Sequence, residues 1–351
     1  MKSVKAIFEG SLHAEVNSDG NVEFGNSDAS FAPADILKSD VVIYSAEYRA
    51  WLNDSWLPKN RLGLEKILKL HSNRKRFADL CGAVAGKNIV PMIGSGMSKA
   101  SGFSTWREFL HQLRTDSELT PEAVDAFLDA GQYEEAVDAL ATDMGRPLFD
   151  ERVEHGLRVE NTADVFGPVR LLPELFPNLL LTTNLDDVLE HVYESSGQKL
   201  FEVLSGRDIE RYRRVQSQGR STLLKLHGDC RRSEGRVLGT AEYDGAYAPG
   251  AACCESLALI YRTRPLLWLG CSLTVDRTVK LVGQVVGEDG GAPRHFAFLP
   301  LPKEETTRVL REKELTQRHI FPIWYDGDHD DSIEALLVGL MDHQKLFAGE
   351  A

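Results

Sequence analysis

The sequence predicts an α/β fold in which a parallel sheet is flanked by helices. Four short apolar segments predict strands, and each of them runs into glycine, serine, asparagine or histidine before helical sequence resumes. In an open α/β sheet, ligands bind outside the carboxyl ends of the strands, so the residues that follow these segments are expected to form one site. The four segments are residues 88–93, 179–183, 222–226 and 265–269.

The first segment leads into a glycine-rich turn, Gly94-Ser95-Gly96-Met97-Ser98. Glycines at a strand-to-helix turn lack Cβ atoms, so backbone N–H groups can approach a phosphate closely. The spacing does not match the dinucleotide fingerprint G-x-G-x-x-G, because Lys99 stands where its third glycine belongs. It also lacks the Gly-Lys-Ser/Thr ending of a P-loop. The turn alone therefore leaves two interpretations open, a nucleotide site and a plain tight turn.

Polar residues follow the other three segments. Asn184 and Asp186 come after the second, His227 after the third, and Gly270 and Ser272 after the fourth. An amide can bond a sugar hydroxyl and position a water molecule, and an imidazole can transfer a proton near neutral pH. Structural interpretations also exist, because Asn184 or Asp186 would serve as a helix cap and His227 as a strand-end residue.

Composition limits the classes of function. The net charge of −13, from 40 Lys and Arg against 53 Asp and Glu, argues against nucleic acid as the primary ligand. A basic stretch at residues 207–236 is either a solvated helix and loop or a docking face for phosphates, nucleic acid or an acidic partner. No apolar run approaches the roughly 18–20 residues that cross a bilayer. The five cysteines lack C-x-x-C spacing, which predicts no zinc site and a reducing, cytoplasmic location.

The sequence divides into two predicted parts. Residues 1–75 read as an α+β appendage, with strands at 4–8, 12–16 and 21–24 around an Asp19-Gly20 turn and another strand at 40–44. A basic helix over residues 61–80 then enters the main domain, residues 76–351. Small acidic helices at about 115–160 predict a helical lobe inserted in that domain. The appendage is expected to serve in oligomerisation or partner docking, or else to cover the core.

The four blocks, in this order, resemble the sirtuin family and its bacterial branch of NAD-hydrolysing defence proteins, which has a Rossmann-like fold. The glycine turn with Ser101-Gly102 resembles the family's Gly-Ala-Gly-x-Ser…Ser-Gly loop. Thr182-Thr183-Asn184-Leu185-Asp186 is similar to Thr-Gln-Asn-x-Asp, and Lys225-Leu226-His227-Gly228 to the His-Gly block. Gly270-Cys271-Ser272-Leu273 corresponds to Gly-Thr-Ser-Leu. The likeness extends over roughly residues 80–345.

The resemblance implies hydrolysis of NAD to nicotinamide and ADP-ribose. It makes Asn184 and His227 catalytic, with no resident metal. It implies NAD contacts from nine further residues: Gly94, Ser95, Gly96, Ser98, Arg107, Thr183, Asp186, Gly270 and Ser272.

A protein of this branch is expected to form a homo-oligomer and to have a partner such as a HerA-type ATPase. Two alternatives remain: a subunit that senses NAD or ADP-ribose without turnover, and an NAD-dependent deacetylase or ADP-ribosyltransferase. The family's deacetylases carry two cysteine pairs that hold zinc, and an aspartate where this chain has Thr105. Both departures count against deacetylation.

Overall fold

The computed structural model describes residues 1–16, 22–23, 30–159, 165–198, 200, 202–273, 277–289 and 292–349. Two short antiparallel strands, β1 (Val22–Glu23) and β2 (Ser30–Phe31), pair near the amino terminus. The central sheet has seven parallel strands. In chain order these are β3 (Val90–Ile93), β4 (Leu179–Thr182), β5 (Glu202–Ser205), β6 (Thr222–Lys225), β7 (Leu266–Leu269), β8 (His295–Pro300) and β9 (Ile320–Tyr325).

The strands lie in the order β5-β6-β4-β3-β7-β8-β9, which confirms the predicted parallel α/β sheet. From β3 the chain crosses to β4 on one side, and later resumes at β7 on the other side of β3. The carboxyl ends of β3 and β7 are therefore the topological switch point, where open α/β sheets bind ligands.

Alternate residues along the strands pack into two separate hydrophobic clusters. Leu180 of β4 belongs to the cluster that also contains the amino-terminal helices, whereas Leu181 belongs to the other. All four residues of β3, β4, β6 and β7 are buried. Burial on both faces explains why these strands read as continuous apolar runs in the sequence.

Seventeen helices are described. They are α1 (Lys2–Val16), α2 (Pro33–Lys38), α3 (Val41–Ala50), α4 (Leu57–Leu68), α5 (Asn73–Ala85), α6 (Trp106–Arg114), α7 (Pro121–Asp129), α8 (Tyr133–Met144), α9 (Arg146–Gly156), α10 (Leu172–Leu175), α11 (Val188–Ser196), α12 (Tyr212–Ser217), α13 (Thr240–Ala246), α14 (Ala252–Thr263), α15 (Arg277–Asp289), α16 (Glu305–Gln317) and α17 (His329–His343). A π-helical segment, Trp51–Trp56, joins α3 to α4. None of the helices described here has the length and apolar character needed to cross a bilayer.

The strands predicted at residues 4–8, 12–16 and 40–44 are wrong. The first two lie within α1, where Val4, Ile7 and Phe8 are buried at the three- and four-residue spacing of one helix face. The third coincides with the start of α3, which Asp40 caps by accepting hydrogen bonds from Val42 N and Ile43 N. The predicted Asp19-Gly20 turn lies outside the described residues.

The helix predicted over residues 61–80 is two helices, α4 and α5. Both pack against carboxyl-terminal elements of the sheet domain. Trp56 Nε1 donates to Glu334 Oε1 of α17 at 2.8 Å. Asn73 donates from Nδ2 to Trp324 O at 2.7 Å, and its Oδ1 accepts from Trp324 N at 3.0 Å. Residues 1–75 therefore share a core with the sheet domain, and their part in assembly stays a prediction.

Three helices, α7, α8 and α9, lie in the stretch at about 115–160 for which small helices are predicted. Thr120 caps α7 and Pro121 occupies its first turn, as the sequence indicates. These helices have their own hydrophobic cluster, which also receives Leu185 and Cys230 from the loops that follow β4 and β6. The lobe is thereby fixed over the carboxyl ends of the strands, beside the predicted site.

Candidate functional site

Three glycines bring the loops after β3 and β7 into contact. A Cβ atom on Gly94 would lie 2.6 Å from Gly270 O, and one on Gly96 would lie 2.9 Å from Gly270 Cα. Gly270 itself has a φ of +67°, and a Cβ there would lie 2.5 Å from Met97 N. The two loops can pack this closely only because these positions lack side chains.

Four amide groups of the glycine loop already donate to backbone oxygens at 2.9–3.0 Å: those of Gly94, Gly96, Met97 and Ser98. The sequence predicts that these amides hold phosphates. In this conformation they would have to share their hydrogen atoms with a ligand. The fifth amide of the run belongs to Ser95, which is partly exposed, so a phosphate is expected to meet Ser95 first.

A hydrogen-bonded chain links Asn184, Ser98 and Asp186. Asn184 donates from Nδ2 to Ser98 Oγ at 3.2 Å, and Ser98 donates from Oγ to Asp186 Oδ2 at 3.0 Å. All three residues are at most 7% exposed. Asp186 Oδ1 also accepts from Val188 N, the first residue of α11, at 3.2 Å, although the residue at the N-cap position is Asp187. Asp186 thus bonds both the start of α11 and Ser98, and its part in an NAD site stays a prediction.

Burial raises the pKa of Asp186 to about 6, against the opposing effects of nearby Lys225 and of the Ser98 hydrogen bond. Lys225 is fully buried at the end of β6. Its Nζ lies 2.9 Å from Glu190 Oε1 and 3.0 Å from Asp229 Oδ2, and it donates to Asp186 O at 2.8 Å. Burial lowers the pKa of Lys225, but Glu190 and Asp229 more than offset this effect and raise the pKa to about 12. Lys225 is therefore a permanent positive charge beneath the site.

Asp187 has a separate structural task. Its Oδ1 accepts from Val159 N at 2.6 Å, and its Oδ2 lies 2.5 Å from Arg231 Nη2. Burial raises the pKa of Asp187, but these two hydrogen bonds outweigh burial and hold the pKa below its usual value. Asp187 thus anchors neighbouring loops, while Asp186 faces Ser98.

His227 is enclosed by two tyrosines. Its Nε2 lies 2.9 Å from the Tyr247 hydroxyl and its Nδ1 lies 3.2 Å from the Tyr243 hydroxyl. The two phenol rings stack on each other, with centroids 5.9 Å apart. His227 is 6% exposed, and burial lowers its pKa to about 3. The imidazole is therefore neutral at physiological pH.

Asn184 and His227 occupy equivalent positions on neighbouring strands. Thr182 pairs with Lys225 in the parallel register of β4 and β6, and each site residue follows two positions later. Leu226 N donates to Thr182 O at 2.9 Å, which continues the ladder beyond the strand ends. The fold thus places the two predicted catalytic residues side by side, at the same height along neighbouring strands and at the carboxyl ends of the sheet.

Of the other residues predicted to contact NAD, Thr183 lies beside Asn184, whereas Arg107 lies away from it. Thr183 is partly buried beside Asn184, and its N–H donates to Ile93 O at 3.3 Å, within the cluster. Ser272 is exposed, and its carbonyl oxygen accepts from Arg311. Arg107 faces the helical lobe instead, where it pairs with Asp125 at 3.2 Å and Asp129 at 2.8 Å.

Sequence reasoning missed Lys225, Tyr243 and Tyr247. A lysine within an otherwise apolar strand was a visible signal, because a buried charge needs partners. Tyr243 lies in α13 and Tyr247 directly follows that helix, four residues later and so on the same side, but nothing in the sequence indicates that they face His227. Within the described ranges, no group of three or more His, Cys, Asp or Glu side chains is placed to hold a metal ion.

Residues 178–323 match the family model of the SIR2-like domain. This segment of the chain is similar to a SIR2-like domain. The sirtuin-like resemblance is thereby confirmed for the three sequence blocks that lie within the matched residues, whereas the glycine-loop block lies outside them.

Two curated relatives share the name NAD(+) hydrolase ThsA. The protein from Cytobacillus dafuensis is 22% identical over 314 residues, covering 83% of this chain and 61% of the relative. The one from Acinetobacter baumannii (strain 532279) is 23% identical over 188 residues, covering 53% of this chain and 36% of the relative. This chain thus spans less than two thirds of the length of either protein.

Two solved structures also align with this chain. One is described as the structural basis for sirtuin substrate affinity, with a TM-score of 0.34 and 14% identity. The other is a Sir2 complex with a p53 peptide and NAD+, with a TM-score of 0.35 and 13% identity. Each alignment covers 78% of this chain and 98% of the solved chain. Likeness at this level is too weak to transfer the geometry of a site.

Proposed function

We propose that this chain hydrolyses NAD+ at the bond between nicotinamide and ribose, releasing nicotinamide and ADP-ribose. The observation that carries the proposal is the buried Asn184–Ser98–Asp186 chain, which lies level with His227 at the carboxyl edge of the sheet. The names of the two curated relatives support NAD as the substrate.

The chemistry suits this set of residues. Cleavage forms a cationic centre at the ribose C1′, while nicotinamide departs as a neutral molecule and needs no proton. The site must therefore orient the ribose and deliver water to C1′. Because Nδ2 of Asn184 is held by Ser98, its Oδ1 is the atom that can accept from a ribose hydroxyl or from the attacking water.

His227 is the proton acceptor in this proposal. The neutral imidazole can accept a hydrogen bond from water or a ribose hydroxyl, and it can take a proton near neutral pH once substrate binding opens the enclosure that lowers its pKa to about 3. Both ring nitrogens are paired with tyrosine hydroxyls, so the substrate must replace at least one of these bonds. We infer that the Tyr243–Tyr247 pair moves, or exchanges its hydrogen bonds, when NAD+ enters.

A binding role without turnover is the second candidate. It is favoured by the same enclosure of His227 and by the glycine-loop amides that already donate to backbone oxygens. A sensor of NAD or ADP-ribose would bind without opening the tyrosine pair. The two candidates therefore differ in whether nicotinamide is released.

We further propose, from the resemblance, a cytoplasmic antiphage role in which NAD is depleted. A homo-oligomer and a HerA-type ATPase partner belong to the same proposal. The amino-terminal segment, residues 1–75, is the candidate surface for such contacts.

The test measures nicotinamide release by chromatography from the purified chain with NAD+, alone and with a candidate ATPase. Asn184→Ala and His227→Ala are each expected to lower the rate by about 100-fold or more. Asn88→Ala and His343→Ala, which change exposed residues away from the site, are matched controls and should keep the wild-type rate.

Three results would change the conclusion. Turnover that survives both site substitutions would refute the assignment of Asn184 and His227. Tight binding of NAD+ or ADP-ribose with no release under any condition would favour the sensor. Formation of O-acetyl-ADP-ribose from an acetylated peptide would favour a deacetylase.

A further inference from the structure

A solvent-open cavity of about 270 Å³ lies at the amino ends of the central strands, opposite the proposed NAD site. Its lining includes Asn178 just before β4, Thr222 at the start of β6, Arg264 just before β7, and Lys87 just before β3. These strands are neighbours in the sheet. At about 3.3 Å per residue, a four-residue strand is about 13 Å long, and this length separates the cavity from the carboxyl ends of the strands.

The cavity is basic. Lys87, Arg220 and Arg264 line it, and none of its lining residues is acidic. Arg220 also pairs with Glu202 at 2.9 Å, outside the lining. No ion pair is found for Lys87 or Arg264 within the part of the chain that the structure describes. Three cations surround this cavity although the chain has a net charge of −13. An anion binds most favourably where positive charge is concentrated.

One lining residue also has a buried polar atom without a partner, which is an observation independent of this charge. Tyr212 lines the cavity and is only 1% exposed. Its hydroxyl has no hydrogen-bond partner among the described residues. A buried hydroxyl without a partner costs about 1–3 kcal/mol, so such groups are nearly always satisfied by protein, water or ligand. Arg264 is close enough to oppose the rise that burial causes in the pKa of Tyr212.

We propose that this cavity is a second binding site, for a phosphate monoester of the size of a sugar phosphate or a mononucleotide. Arginine forks and a lysine bind phosphate oxygens, and the Tyr212 hydroxyl donates to one of them. At about 270 Å³ the cavity has room for more than a bare phosphate. Gln216 and Asn178 are the neighbouring amides available to sugar hydroxyls.

This site also gives a role to part of the basic stretch at residues 207–236. Tyr212, Gln216 and Arg220 come from α12 and the loop that follows it. The sequence leaves open whether that stretch is only solvated or binds phosphates. The cavity favours phosphate binding, at a place distinct from the NAD site.

The experiment is isothermal titration calorimetry on the full chain at low ionic strength. The probes are inorganic phosphate, ribose 5-phosphate and AMP, with ribose and adenosine as phosphate-free controls. We expect binding of the phosphorylated probes only. The stronger of ribose 5-phosphate and AMP then identifies a sugar phosphate or a nucleotide as the ligand.

Four variants locate the binding. Arg264→Gln is expected to weaken it about tenfold or more, and Tyr212→Phe to weaken it severalfold while leaving the melting temperature of the free protein unchanged or slightly higher. Arg213→Gln removes the same charge from an exposed position of α12 outside the lining and should bind as the wild type does. Asn184→Ala should also bind the phosphorylated probes normally, because it alters only the proposed NAD site at the carboxyl ends of the strands.

Contrary results are equally clear. No binding of any phosphorylated probe at about 10 mM would overturn the proposal, and so would binding that Arg264→Gln and Tyr212→Phe leave unchanged. Loss of binding in Asn184→Ala would place the phosphate in the NAD site instead. None of these results depends on whether the chain releases nicotinamide.

Discussion

Ser98 and Asp186 are joined by a hydrogen bond of 3.0 Å between Oγ and Oδ2, although 88 positions separate them in the sequence. The same Ser98 oxygen accepts from Asn184 Nδ2 at 3.2 Å. One hydroxyl therefore holds two residues of the β4 loop against the loop that follows β3. It sets the orientation of the Asn184 amide on which the proposed reaction depends.

Replacement of Ser98 by alanine should affect both folding and catalysis. The change leaves Asn184 Nδ2 and Asp186 Oδ2 without their shared partner, at an expected cost of about 1–3 kcal/mol in the free energy of unfolding. The loss of a fixed amide should lower nicotinamide release about tenfold or more. Urea denaturation and the chromatographic assay measure the two effects. Ser101→Ala is the control, because that hydroxyl bonds only the Phe166 backbone; equal effects from both variants would contradict the special role of Ser98.

Gly94→Ala should disrupt the contact between the glycine loops. The new methyl group would lie 2.6 Å from Gly270 O and 2.7 Å from Cys271 Sγ, so one loop must move. We expect a loss of about 1–3 kcal/mol in unfolding free energy, together with weaker NAD+ binding. The matched control is Gly82→Ala in α5, where a methyl group meets nothing within 4 Å. That variant should gain up to about 1 kcal/mol, and a Gly94 variant as stable as this control would show that the loops are not in contact.

Asp186→Asn should change how stability depends on pH. Because the pKa of Asp186 is raised from 3.8 to about 6, the folded state holds a proton that the unfolded state has released at pH 4–6. The resulting stabilisation is present below about pH 4 and is lost as pH rises through 6. Relative to the variant, the wild type should therefore lose about 3 kcal/mol between pH 4 and 7. Urea titrations at four pH values measure this difference, and parallel curves for the two proteins would exclude the raised pKa.

Lys225→Met should be among the most damaging single substitutions. It leaves Glu190 and Asp229 near the buried end of β6 without their counter-charge, which typically costs about 3–5 kcal/mol. Lys59→Met is the control, since its pair with Asp331 is 2.9 Å long but well exposed and worth at most about 1 kcal/mol. Thermal and urea unfolding of both variants provide the comparison. A Lys225 variant no less stable than the Lys59 variant would show that this cluster does not stabilise the fold.

The sequence predicted the sheet better than the layer around it. Leu179–Thr182 and Leu266–Leu269 are buried on both faces, and that environment leaves a continuous apolar run that is easy to recognise. The amino-terminal strands were predicted wrongly because Val4 and Phe8 pack against residues far along the chain. Tertiary contacts of that kind override local alternation.

The sequence predicts which residues follow the ends of the strands. It does not predict the directions in which side chains on the surrounding helices point. The sequence placed Asn184 and His227 at the same ends of neighbouring strands because parallel strands end together, and their catalytic role stays a prediction. The ion pairs of Arg107 with Asp125 and Asp129 depend on how α6 packs against α7, which local sequence does not specify. The enclosure of His227 by Tyr243 depends on the placement of α13 in the same way.

The packing of α4 on α17 affects how the protein is synthesised. Arg61 forms two hydrogen bonds with Asp342, and Trp56 donates to Glu334, so early helices need residues 329–343 to complete their core. At roughly 5–20 residues per second, the ribosome takes on the order of tens of seconds to reach that partner. During this interval Trp56 lacks its carboxyl-terminal contacts, Glu334 and Phe347. Chaperone binding during translation is therefore expected at this aromatic segment.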